Sequence, residues 1–236
     1  MYFKFLFDSL YPPICLICKI DCFNANMLCS DCWNKISFIT RPYCKKCGKS
    51  LNDHSAINLC TEDKCFYNKH LYNSIRSVTQ YDEFVKKLIV EFKLQAKFKL
   101  TKIFHNWFQL LCSGDEQLNK IDYIIPVPMH SKKLKKRGYN QSIILSEIIS
   151  KIMNKKVMYN VLLKKLDGPN QSELKKNMRE KNLVDAFSIA NFELIKDKNI
   201  LLVDDVVTTG STINECSKVL LLSGSKEVNA ISIARR

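Results

Sequence analysis

Residues 199–212 read Asn-Ile-Leu-Leu-Val-Asp-Asp-Val-Val-Thr-Thr-Gly-Ser-Thr, and no other stretch limits the fold as sharply. Ile200, Leu201, Leu202 and Val203 form a continuous apolar run bounded by polar residues, the pattern of a parallel strand covered on both faces. Asp204 and Asp205 follow at its carboxyl end, where open α/β sheets place their ligands. Thr208, Thr209, Gly210, Ser211 and Thr212 then offer four hydroxyls at the mouth of a helix, a suitable cradle for phosphate.

Two simpler readings compete. Ser and Thr are good helix N-caps, so the stretch could be only a capped αβ junction. A nucleotide P-loop would need Gly-Lys-Ser/Thr, and this loop has no Lys. Neither reading accounts for an acidic pair separated from Thr-Thr-Gly-Ser-Thr by only Val206 and Val207. The combination resembles the signature by which type I phosphoribosyltransferases bind 5-phosphoribosyl-1-pyrophosphate (PRPP).

Cysteine supplies the second constraint. Nine of the 11 cysteines fall in the first 65 residues, mostly as close pairs: Cys15/Cys18, Cys29/Cys32, Cys44/Cys47 and the wider Cys60/Cys65, with Cys22 extra. Two thiolates two residues apart can grip one tetrahedral zinc from a tight knuckle, so four pairs supply two Cys₄ sites of structural zinc. Gly48 suits the turn beneath a knuckle. Spacing leaves open whether the sites are sequential or use alternate pairs. His54 is expected to be a bystander beside eight thiols.

The net charge of +14 is unevenly placed. Residues 126–181 carry 14 Lys and Arg against four acids, a local +10, and flank the phosphate-binding candidate. An anionic ligand or nucleic acid explains this better than a solvated helix face. No apolar run is long enough for a membrane span. Residues 1–10 lack the basic start and small-residue cleavage site of a secretion signal, so a cytoplasmic protein is expected.

Apolar periodicity predicts helices over residues 82–94 and 100–111, the second with Leu100, Ile103, Phe104, Trp107, Phe108 and Leu111 on one face. Residues 113–120 read as a linker. Strands are expected at 121–127, 157–163, 184–189, 200–203 and 228–233, with helices carrying Ile144 to Ile152 and spanning 211–222. Residues 131–141 read as a basic loop and 171–182 as a polar, basic excursion. The fold class is therefore α/β: a mostly parallel sheet with flanking helices, preceded by a small Cys-rich zinc-binding head. Residues 1–70 form the head and 71–236 the type I phosphoribosyltransferase-like domain.

Taken together, the Cys-rich head, Pro126-Val127-Pro128-Met129-His130 through Arg137-Gly138-Tyr139-Asn140-Gln141, the set Gln171, Arg179, Asn182 and Phe187, and residues 203–212 resemble the ComF family. Leu10-Tyr11-Pro12-Pro13 before Cys15 also matches the family's opening. These are phosphoribosyltransferase-like proteins associated with bacterial competence, the uptake of DNA in natural transformation. The resemblance implies a pyrophosphate loop over residues 128–137, with Pro128, Met129, His130, Lys135, Lys136 and Arg137, and a lid over 168–182 with Arg179. It implies that Asp204 and Asp205 hold the ribose, that Thr208 to Thr212 hold the 5′-phosphate, and that magnesium arrives with PRPP. Three functions are consistent with it: handling of single-stranded DNA during uptake, with the PRPP site retained; an enzyme of nucleotide salvage; and a PRPP-gated adaptor whose zinc head recruits a DNA-translocation protein. The acceptor base and the occurrence of turnover are not encoded in a readable residue set.

Overall fold

The computed structural model describes residues 14–22, 28–51, 60, 65, 67, 70–95, 99–113, 115–164 and 186–236. Its central strand, β6 (Asn199–Val207), contains the predicted apolar run and continues through both aspartates. Parallel neighbours β7 (Glu227–Arg235) and β2 (Tyr123–Pro126) flank it. Outside them lie β1 (Ser74–Gln80) on β7 and β3 (Lys156–Val157) on β2, giving the order β1-β7-β6-β2-β3.

Alternate side chains of β6 enter two separate cores, which is why the run is apolar without interruption. Leu201 and Val203 pack on the face covered by α2 (Glu83–Gln95), α3 (Lys99–Cys112) and α6 (Gln141–Met153). Ile200 and Leu202 pack on the other, against Ile213, Cys216 and Leu220 of α7 (Ser211–Leu222). Complete burial of each such side chain contributes about 1.5–3 kcal/mol.

The helices follow their apolar stripes. Asp82 caps α2 by accepting from the Val85 amide at 2.8 Å, and Val85, Leu88, Ile89 and Phe92 face inward. In α3, Phe104 and Trp107 lie edge-on to one another at 5.7 Å between ring centres, and Phe104 meets Phe92 in the same way at 5.1 Å. Asn140 caps α6 through the Ser142 amide at 3.0 Å.

Several sequence expectations need correction. Strand β1 has no counterpart among the expected strands. Residues 157–163 do not form one sheet strand: β3 ends at Val157, and β4 (Leu162–Lys164) instead pairs antiparallel with β5 (Phe187–Ile189) in a separate ribbon. The predicted linker contains the short helix α4 (Glu116–Asn119), capped by Asp115. Residues 131–137 are a helix, α5 (Ser131–Arg137), rather than a loop. His130 caps its start, and Gly138 closes it in the left-handed conformation at φ 86° that glycine adopts without penalty.

The first half of the head meets this scaffold through both apolar and main-chain contacts. Leu16, Cys22, Leu28 and Ile36 join the core that contains Trp107. The Ile39 amide donates to Val78 O at 2.9 Å and the Gln80 amide to Ser37 O at 2.8 Å, which covers the open edge of β1. The helix α1 (Ser30–Asn34) follows the second cysteine pair's first member, Cys29, which caps it.

Candidate functional site

The sheet's connections define the site. From β2 the chain runs outward through α6 to β3, whereas from β6 it runs the opposite way through α7 to β7. The helices therefore lie on opposite faces, and the carboxyl ends of β2 and β6 form the switch point, beyond which such sheets hold their ligand crevice. Residues 204–212 lie on one side of it and residues 127–142 on the other.

Asp204 accepts from the Asp205 amide at 2.9 Å and from Ser142 Oγ, in the first turn of α6, at 3.3 Å. Asp205 pairs with Lys93 Nζ of α2 at 2.7 Å. Burial first, and then the Asp205 carboxylate, push the Asp204 carboxyl up to about 7. The Asp205 amide, Lys93 and Ser142 pull in the other direction and only partly offset them. A second positive or hydrogen-bonding partner at this position would restore the carboxylate.

The phosphate-loop candidates lie where β6 gives way to α7. Thr208 and Thr209 are exposed, while Ser211 is half-buried. Gly210 adopts φ 78° as the N-cap of α7 and supplies no side-chain acceptor to its first-turn amides. Thr209 Oγ1 and Ser211 Oγ lie 2.8 Å apart. The Ser211 amide donates to Thr209 Oγ1 at 3.3 Å, while Gly210 caps none of the first-turn amides, and the positive end of this 12-residue helix with its hydroxyls suits a phosphate. Thr212 is half-buried in the first turn of α7.

Across the crevice, Pro128 and Met129 are half-buried and His130 is buried. His130 Nδ1 accepts from the Lys132 amide at 3.1 Å, which leaves the proton of a neutral ring on Nε2. Lys135 and Lys136 are exposed on α5, a helix with no buried residue at all. Arg137 turns instead onto Gln141 Oε1 at 2.6 Å. Its neighbours in the Arg-Gly-Tyr-Asn-Gln motif are scaffold: Tyr139 Oη donates to Phe92 O, and Asn140 Nδ2 donates to Val127 O at 3.0 Å. These bonds fasten α2 and α6 to the end of β2. The expected lid, Arg179 and His54 lie outside the described residues.

Sequence reasoning missed Lys93 and Ser142, which reach the acid pair from distant helices. Lys93 lies off the apolar face of its helix, where periodicity gives no sign of a partner.

The cysteines assemble sequentially. Cys15, Cys18, Cys29 and Cys32 form one cluster and Cys44, Cys47, Cys60 and Cys65 the other, all donor atoms of each lying within 4.8 Å of one another. Four sulfurs around zinc at about 2.3 Å sit about 3.8 Å apart, and the Cys18–Cys29 and Cys47–Cys60 sulfurs lie 3.5 and 3.6 Å apart. In the second cluster the thiols compete for ionisation: Cys44 is held down at about 4, chiefly by the Cys47 thiol, while burial pushes Cys65 up to about 12. Four buried thiols cannot all ionise without a cation among them, so both the geometry and the chemistry fit structural zinc. Cys22 is buried in the core and belongs to neither cluster.

The comparisons with known proteins agree. Residues 6–65 match the family model for a double zinc ribbon domain, and residues 140–236 match that for a phosphoribosyl transferase domain. The molecule is thus a zinc-ribbon protein built on a type I phosphoribosyltransferase-like fold. It is 31% identical over 226 residues to Competence protein F of Haemophilus influenzae, covering 94% of this chain and 96% of that protein. Competence protein ComFC of Streptococcus pneumoniae is 27% identical, over 90% of this chain and 89% of its own length. DNA utilization protein YhgH of Escherichia coli K12 is 24% identical, over 95% and 97%. The chain belongs to the ComF family. Among the described residues, no helix is long and apolar enough to cross a membrane.

Proposed function

We propose that this chain takes part in DNA uptake, binding PRPP with magnesium in the crevice between β2 and β6 and handling single-stranded DNA through its basic segment. The observation that carries the PRPP reading is the placement of the Asp204–Asp205 pair beside the glycine-capped, hydroxyl-lined N-terminus of α7 at the sheet's switch point. The 5′-phosphate sits on the amides and hydroxyls of Thr208, Thr209, Gly210, Ser211 and Thr212. Asp204 and Asp205 hold the ribose hydroxyls, and magnesium is carried mainly by pyrophosphate and ribose oxygens. Displacement of Lys93 from Asp205 accompanies ligand entry, because both compete for the same carboxylate.

Pyrophosphate lies toward residues 128–137, where Lys135, Lys136 and Arg137 supply cations, with Arg179 completing the set from the lid. If the bond at the anomeric carbon breaks, these cations stabilise the departing pyrophosphate, and the two carboxylates stabilise positive charge on the ribose ring. Residues 1–70 carry the zinc and residues 71–236 the phosphoribosyl site.

The names of the relatives, competence and DNA utilization proteins, support the DNA part. So does α5, which packs nothing into the core yet carries Lys132, Lys133, Lys135, Lys136 and Arg137. Such a helix serves phosphates rather than folding.

Calorimetric titration of PRPP with magnesium tests the site. Saturable binding to wild type that is lost in Asp204→Asn/Asp205→Asn is the expected result, and wild type without binding overturns the reading. Binding of a single-stranded oligonucleotide should weaken steeply with salt; tight, salt-insensitive binding contradicts the electrostatic account.

A further inference from the structure

Arg235, near the end of β7, is buried to 4% exposure. No Asp or Glu side chain among the described residues pairs with it. Its guanidinium is spent on carbonyl oxygens from separate parts of the chain. Nε donates to Cys47 O, in a knuckle of the second zinc cluster, at 3.0 Å. Nη1 donates to Val207 O at 3.2 Å, to Thr208 O, and to Arg236 O at 2.9 Å. One rigid planar group thus joins the knuckle to Val207 and to Thr208, the first residue of the proposed phosphate loop.

This contact fixes direction as well as position. In a planar trans peptide the N–H points opposite to the C=O. With the carbonyls of Val207 and Thr208 turned onto Arg235, the amides of Thr208 and Thr209 point away from it.

The knuckle itself is clamped to the sheet. The Ile75 amide of β1 donates to Lys46 O at 2.9 Å. Gly48, at φ 72°, lies so close that a Cβ there would stand 2.4 Å from Ile75 O. A second, independent contact comes from Tyr72, whose fully buried hydroxyl has no hydrogen-bond partner among the described residues. A Cβ on Gly210 would meet that oxygen at 3.3 Å. With Lys46 Nζ 5.8 Å from its ring centre, Tyr72 stands between the knuckle and the loop. Zinc with four thiolates carries a net charge of −2, so Arg235 lies between that charge and the proposed seat of the phosphate.

We propose that Arg235 is a positioning residue that couples the second zinc cluster to the phosphate loop, so that zinc held by Cys44, Cys47, Cys60 and Cys65 and a phosphoribosyl ligand strengthen each other's binding. The inference rests on the PRPP reading above. Because coupling is reciprocal, it is measurable from either ligand.

The test is equilibrium competition for zinc by a colorimetric chelator, on the zinc-loaded full chain, with and without saturating PRPP and magnesium. In wild type, PRPP should tighten one of the two zincs by about 5- to 150-fold and leave the other unchanged. Arg235→Gln should retain both zincs while losing this shift. Arg235→Lys should fail to restore it, since an ammonium keeps the charge but not the fork that spans both carbonyl sets. PRPP that binds wild type by calorimetry yet moves neither zinc overturns the coupling alone. PRPP that does not bind wild type overturns the site reading and the coupling with it. The wild-type measurement decides even if the variants do not fold.

Discussion

The two zinc clusters each present four cysteine thiols but are attached to the fold by opposite means. The first is joined by apolar packing: Cys15, Cys32, Leu16, Leu28 and Ile36 belong to the large core, and Phe38 lies edge-on to Trp107 at 5.6 Å. The second forms a small cluster of its own with Leu51. Its knuckle is held by polar contacts, from Ile75 to Lys46 O and from Arg235 to Cys47 O. Apolar packing contributes stability in any direction, whereas hydrogen bonds fix orientation. The first cluster accordingly supports the core, and the second is tied to the carboxyl edge where the proposed phosphate loop begins.

This contrast can be broken by substitution. Cys32→Ser should be the most damaging change, costing more than about 4 kcal/mol through loss of the first zinc and the packing around it; chemical denaturation measures it. Cys44→Ser should cost less stability but weaken PRPP more. Equal effects of the two on PRPP affinity would remove the distinction.

The acid pair sharpens the comparison through pH. The Asp204 carboxyl at about 7 in the folded protein exceeds its unfolded value of about 3.9, so its protonated form stabilises the fold at low pH. That contribution is complete below about pH 4 and is lost as pH rises through about 7. Asp204→Asn without ligand should therefore be more stable than wild type at pH 8, on the order of 2–4 kcal/mol, with the difference vanishing near pH 4. Denaturation midpoints across pH read this directly. PRPP affinity of wild type should instead rise from pH 6 to pH 8, because the ligand needs the carboxylate.

Gly48→Ala should cost about 1–3 kcal/mol, since the backbone of β1 blocks any side chain there and φ is positive. It should release the second zinc more readily and leave the first in place, as chelator titration would show. The smallest effect concerns α5. Lys135→Ala/Lys136→Ala should leave the melting temperature unchanged and lower the salt dependence of single-strand binding by about 0.7 in slope for each phosphate no longer neutralised.

Much of the candidate site was legible because its residues are neighbours in sequence. The β6 run, the acid pair and the hydroxyl loop are contiguous, and each helix stripe announced its buried face. Strand β1 was not legible, since Ser74, Ser77 and Thr79 break any apolar pattern. They are buried only because partners on β7 satisfy them: Asn229 Oδ1 at 2.7 Å, Ser232 Oγ at 2.7 Å and Ile233 O at 3.0 Å. Helix α5 escaped for a related reason, having no apolar face to give it a period, and its two caps decide its form. The pairing of cysteines and the reach of Lys93 to Asp205 are tertiary facts that spacing does not encode.

The most direct test of the account is hydrogen–deuterium exchange on the zinc-loaded chain, with and without PRPP and magnesium. The account predicts slowed exchange at the amides of residues 208–213, accompanied by weaker protection at residues 44–48. PRPP that binds while leaving residues 208–213 unprotected would place it elsewhere and contradict the central claim.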